Sequence, residues 1–175
     1  MNRINICKNI IQSIHDYITN PDNLDAYREK NRFVRKRKLS IFHVIMYLLF
    51  TSKASMYQNL FRIRTELNKL EFPDVSKQAL SKARQSIHPD LFLSLFNISV
   101  DLFYKQLPQR RTWNGYHLLA VDGSKIELPN SKSNFEFFGE MSTYPNPERV
   151  FTSGLASIIY DVLDDYIVHA SLSPY

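Results

Sequence analysis

Asp122 is the residue whose surroundings most suggest chemistry. It stands in HLLAVDGSKIELP, residues 117–129, where strand-forming residues run into an aspartate and a glycine follows at once. A carboxylate there could be held rigidly at the sheet's rim to do chemistry. The same Asp-Gly pair suits a two-residue type I′ turn, whose central residues both need positive φ. The residues alone leave both readings open, and the turn is the simpler one. Asp161, Asp164 and Asp165 gather around a second candidate hairpin, where they too read most simply as turn residues.

Other chemistries are poorly supported. His15, His43, His88, His117 and His169 are scattered, with no two at the helical spacing of metal ligands. There is no G-x-S-x-G, no glycine-rich phosphate loop and no P-loop lysine, and four glycines make a poor nucleotide cradle. A single cysteine, Cys7, excludes an intramolecular disulfide and a cysteine-based zinc site.

Cations form two groups. REKNRFVRKRKLS carries Arg28, Lys30, Arg32, Arg35, Lys36, Arg37 and Lys38 against one acid, Glu29. That density suits phosphate neutralisation, with Arg32, Arg35, Lys36, Arg37 and Lys38 as the candidate DNA contacts; the alternative is a solvated helix face ahead of a core helix. FPDVSKQALSKARQSI reads as the second helix of a helix-turn-helix pair, capped by Ser76. Ser76, Lys77, Gln78, Ser81, Lys82 and Arg84 would face phosphates and base edges while Ala79, Leu80 and Ala83 bury the other side. An ordinary amphipathic surface helix fits the segment equally well.

The elements that must position these residues change type along the chain. The first 107 residues read as helices. The first carries Ile4, Ile10, Ile11, Ile14, Tyr17 and Ile18 mostly at steps of three or four, and Pro21 breaks it. An apolar helix follows at about 41–51, then one with Met56, Leu60, Ile63, Leu67 and Leu70, then the Ser76-capped helix. Pro89 opens a last helix bearing Leu91, Leu95, Ile98 and Leu102. After residue 112 the spacing becomes that of strands: YHLLAV and KIEL on either side of Asp-Gly, then LASIIYDV and YIVHASL around LDD. Residues 130–154 read as a long polar and aromatic connection, so the expected sheet has no covering helix. The expected class is therefore α+β: an all-helical domain over 1–112 and the strands of an incomplete α/β domain over 113–175.

Charge follows the same division. The net charge of +5 is the balance of 19 Lys/Arg against 9 Asp/Glu in residues 1–112 and 3 against 8 in residues 113–175. A basic half beside an acidic half suggests a polyanion-binding module next to a site with another task. The longest apolar run, IFHVIMYLLF, is half the roughly 20 residues a bilayer span requires, and the N-terminus makes no convincing signal peptide. A cytoplasmic protein without a membrane partner is the expectation.

Taken in order, RKRKLSIFHVIMYLL, VSKQALSKARQSI, LLAVDGSKIELPN, FFG at 137–139 and SGLASIIYDVLDDYIVHASLSPY resemble the insertion-sequence-four family of bacterial DDE transposases. Each segment is weak alone; the ordered set covers most of the chain. The resemblance implies a DNA-binding helical region, a ribonuclease-H-like catalytic domain, Mg²⁺ or Mn²⁺ in the intact enzyme, and a nucleoid-associated location. It implies that Asp122 is the first of three catalytic, metal-binding carboxylates, and that transposon-end double-stranded DNA is the partner. The second Asp and the Glu of that family lie beyond the fold's opening strands, and Asp161, Asp164 and Asp165 match hairpin positions instead. The expectation is thus a portion of a transposase that binds DNA, lacks the complete triad, holds metal weakly or not at all, and self-associates through exposed sheet. The rival is a stand-alone helix-turn-helix regulator in which Asp122 only turns the chain.

Overall fold

The computed structural model describes residues 3–29, 32–33, 38–67, 71–142, 145–146 and 148–175. They contain helices and an antiparallel sheet, divided between two compact units, Met1–Gln106 and Leu107–Tyr175.

The first unit is helical: α1 (Arg3–Thr19), α2 (Pro21–Leu24) leading into a 3-10 turn, α3 (Ile41–Phe50), α4 (Met56–Glu66), α5 (Lys77–Arg84) and α6 (Asp90–Gln106). Local chemistry starts most of them. Asn20 accepts from the Asp22 amide, with Pro21 in the first turn of α2. Ser40 and Ser55 each close a reciprocal cap, with His43 and Gln58 as the returning side chains. Ser76 accepts from the Ala79 amide at 3.2 Å and starts α5. Each such cap satisfies amide donors that the helix leaves unpaired.

One contiguous core joins these helices, including Ile18, Val44, Ile45, Leu60, Ile63, Leu80, Leu91 and Leu95. The buried face of α1 is rotated from the one expected: Ile6, Ile10 and Ile18 are inside, whereas Ile4 and Ile11 are 60% and 67% exposed. Several isoleucines at overlapping spacings make more than one helical stripe possible, and packing selects one.

The segment after the 3-10 turn is not helical. Arg28, just past the 3-10 turn, is extended and bridges Ile87, with Glu29 N–H donating to Ser86 O at 3.1 Å and His88 N–H to Tyr27 O at 2.7 Å. Arg32, Phe33, Lys38 and Leu39 lie in bends. The helical face anticipated for the basic run is therefore absent at its described residues, while Lys30, Arg35, Lys36 and Arg37 lie outside them.

In the second unit β1 (Leu119–Leu128) is followed by α7 (Lys132–Phe138), β2 (Met141–Ser142), β3 (Val150–Asp161) and β4 (Tyr166–Pro174). All pairing is antiparallel. β3 carries β1 along one edge, from Leu119↔Asp161 to Leu128↔Thr152, and β4 along the other, from Gly154↔Pro174 to Asp161↔Tyr166. A bulge at Ile159/Tyr160 interrupts the second ladder. β2 pairs with the first two residues of β3.

Three expectations are corrected here. The two strands flanking Asp-Gly are one strand, and no turn occurs at Asp122–Gly123. A positive-φ pair does occur at Asn114 and Gly115, where φ is 50° and 84° and Trp113 and Tyr116 exchange backbone hydrogen bonds of 2.9 Å. This is the geometry that Asn-Gly favours. The third correction is α7, which lies within the segment read as an unstructured connection. Ser131 caps it, and Gly139 ends it with φ at 83°. Phe138 of α7 lies against Gly154, where an added Cβ would come within 3.1 Å of the ring and 2.9 Å of Leu172. Glycine there lets helix and strands meet.

Asn59 of α4 tests the helical unit. It is 2% exposed and bonds Ser52 N–H, the Ser52 hydroxyl, and the carbonyls of Ser52 and Ala54. Asn59→Ala strands the polar groups of the α3–α4 connection and is expected to cost about 1–3 kcal/mol in denaturant unfolding.

Candidate functional site

Asp122 sits inside β1, fourth of its ten residues, in register with Ile158 of β3. Its neighbours Leu119, Val121 and Ile126 are of the type that favours strands, and the β3 ladder on both sides of it supplies the rigidity. The side chain is exposed, and Oδ1 accepts from the Gly123 amide at 2.9 Å. Gly123 takes an ordinary extended conformation. Its lack of a side chain matters for another reason: a Cβ there would lie 3.2 Å from Leu155 Cδ1 on the adjoining strand. Neither a strand end nor a turn holds the carboxylate. A continuous ladder holds it.

Pleating assigns the other carboxylates. Asp161 is opposite Leu119, three residues along the ladder from Asp122's partner, and odd spacing puts it on the other face of the sheet. It is buried and accepts from the Asp164 amide at 3.0 Å, closing the β3–β4 turn. Asp164, whose side chain is 1% exposed, accepts from the backbone N–H of Arg111 at 3.4 Å and from its Nε at 3.2 Å. That pair ties residues before β1 to the hairpin, which agrees with residues 107–112 belonging to the second unit. Asp165 takes positive φ and accepts from the Tyr160 hydroxyl. These three aspartates are structural parts of a hairpin.

Two-cation sites need several anionic oxygens around one point. Among the described residues no three His, Cys, Asp or Glu side chains gather in that way. Asp122 is a single exposed carboxylate, so the residues present do not fit a pair of divalent cations by themselves.

The predicted DNA contacts divide more clearly. In α5, Lys77, Gln78, Lys82 and Arg84 are exposed, Ser81 is half-buried, and Leu80 is the buried anchor. The hydroxyl of Ser76 is taken by its cap. The chain entering α5 is held by Arg64, whose Nη2 donates to Pro73 O at 3.2 Å and lies 2.8 Å from Asp74 Oδ1. Arg32 and Lys38 are exposed, and Arg32 Nε lies 3.7 Å from Glu29. Arg28, at the start of the basic run, pairs with Asp25 at 2.6 Å. The 27–29 to 86–88 pairing brings that start beside the end of α5, a proximity across nearly sixty residues of sequence that no local pattern announces. Gln85 was missed: it is exposed and keeps helical backbone angles one position past α5, and its seven-residue spacing from Gln78 was the available signal.

The ladder around Asp122 yields a test that separates carboxylate from fold. Asp122→Asn should leave the unfolding free energy unchanged within about 0.5 kcal/mol, because the side chain is exposed and an amide oxygen can still accept from the Gly123 N–H. Gly123→Val should destabilise by about 1–3 kcal/mol, because Leu155 must move. Thermal and urea unfolding of both variants measures the contrast.

No described helix is long and apolar enough to cross a membrane. The chain matches no family model, no curated protein and no solved structure.

Proposed function

We propose that this chain recognises double-stranded DNA as the helical portion and opening catalytic strands of a DNA transposase of the insertion-sequence-four type. The observation that carries the DNA-binding part is α5. Its exposed side bears Lys77, Lys82 and Arg84, the helix contains no acidic residue, and the basic segment starts beside its C-terminal end. Cations so concentrated meet a phosphate backbone with favourable, salt-dependent energy.

Support for the catalytic part is narrower. Three antiparallel strands with a carboxylate fixed in the first suit the start of a ribonuclease-H-like sheet, and they agree with the ordered motifs of the sequence. Mg²⁺ or Mn²⁺ would require further carboxylates beside Asp122, so the 175-residue chain is proposed to bind DNA without cutting it. Self-association belongs to the same proposal. Among the described residues β1 pairs only with β3, which leaves ten residues of strand edge open, beside exposed Val121 and Ile126. A nucleoid-associated, cytoplasmic protein is the location this reading implies.

A second reading is favoured by the solitary state of Asp122: a DNA-binding regulator without catalysis. The two part at the carboxylate. Duplex binding followed by fluorescence anisotropy should weaken steeply as salt rises, with a slope near −0.9 in log K against log salt for each phosphate contact. Binding should be the same in Asp122→Asn, with no nicking in Mg²⁺. Binding that ignores salt would overturn the DNA-binding proposal; Mg²⁺-dependent nicking lost in Asp122→Ala would overturn the proposal that the chain does not cut. Asp122→Asn placed in a longer chain carrying the remaining carboxylates should abolish cleavage, and retained cleavage there would favour the regulator.

A further inference from the structure

The exposed side of α5 has two zones of different chemistry. At about 100° per residue, Gln78, Lys82 and Gln85 fall within about 60° of arc, nearly opposite the buried Leu80. All three are exposed, and Gln85 continues the helical path. Lys77 and Arg84 fall within about 20° of arc on one flank of that stripe, with Ser81 between Lys77 and the stripe. The other flank carries Ala79, which is exposed, and Ala83, which packs against the core.

The central stripe carries hydrogen-bonding groups that suit base edges. It pairs two carboxamides with one ammonium at steps of four and three residues. A carboxamide both donates and accepts, which matches the N7 acceptor and N6 donor of adenine in the major groove. An ammonium donates to O6 and N7 of guanine. Lys77 and Arg84 lie about 10 Å apart along the helix axis, close to the roughly 12 Å width of the major groove. Asp74, the nearest preceding acid, is already held by Arg64 at 2.8 Å, so the phosphates would meet an uncompensated positive flank.

Resting on the DNA-binding reading above, we infer that α5 is a base-reading helix whose parts divide the work. Gln78, Lys82 and Gln85 determine sequence preference in the major groove, and Lys77 and Arg84 hold the phosphates that set its register. Gln78 and Gln85 are then specificity-determining residues, with adenine as the favoured base opposite each.

The test uses the full 175-residue chain and a duplex library with a randomised core. Wild-type protein should enrich a short motif. Gln78→Ala and Gln85→Ala should each relax preference at one position, losing about fivefold to a hundredfold on the selected duplex, with little change on an unselected one. Gln78→Lys should move its position from adenine toward guanine. Lys77→Ala and Arg84→Ala should weaken both duplexes alike and reduce the salt slope by about one each. All five side chains are exposed, so the variants should melt with the wild type. If the chain binds duplexes but enriches no motif, or if the glutamine variants keep the wild-type motif, the division of labour is overturned and the DNA-binding reading stands. If the chain binds no duplex at low salt, both fall together.

Discussion

The second unit depends on β3 being paired along both edges. A strand of twelve residues flanked by ladders has its backbone donors and acceptors met in register over most of its length, and that register dictates every placement around it. It puts Asp122 opposite Ile158 and sends Asp161 to the other face. It also brings Gly123 against Leu155 and Gly154 against Phe138 and Leu172. A slip of one residue would exchange the faces and remove the carboxylate from its position. Asp122 therefore owes its rigidity to neighbours on another strand.

In the helical unit the corresponding constraint is burial of Leu80 in the common core. An eight-residue helix has little intrinsic stability. Held by Leu80, by the Ser76 cap and by Arg64 on the preceding chain, α5 presents its polar side with a defined orientation. The backbone pairing of 27–29 with 86–88 then joins a second basic segment to the same region. One compact core thus serves as the base for a cationic surface, while the catalytic carboxylate of the proposal resides in the other unit.

Much of this was legible in the residues. The serine cap at 76, the proline at 21, Met56, Leu60 and Ile63 in α4 and the apolar steps of α6 are local signals, and each marks a helix boundary or face that the structure contains; Leu70 lies outside the described residues. Errors arose where one signal serves two conformations. Asp-Gly at 122–123 carries turn chemistry, yet a ten-residue ladder outweighs it; Asn-Gly at 114–115, without a competing partner strand, does turn. Ile4 and Ile11 share the spacing of a core stripe, but the core takes Ile6. α7 is short and rich in polar residues, and it packs through Phe138 onto strands that come later in the chain.

By itself the sequence determined the change from helices to strands near residue 112, the segregation of charge between the two halves, and the residue types offered by α5, because these depend on composition and on spacings of a few residues. Tertiary structure alone decided that Asp122 lies mid-strand, that Arg111 is the partner of Asp164, and that the basic run begins beside the end of α5. The physical reason is common to all three. Each outcome is a choice between locally acceptable conformations, and the choice is made by hydrogen-bond partners and packed side chains that lie distant in sequence or arrive only when strands pair.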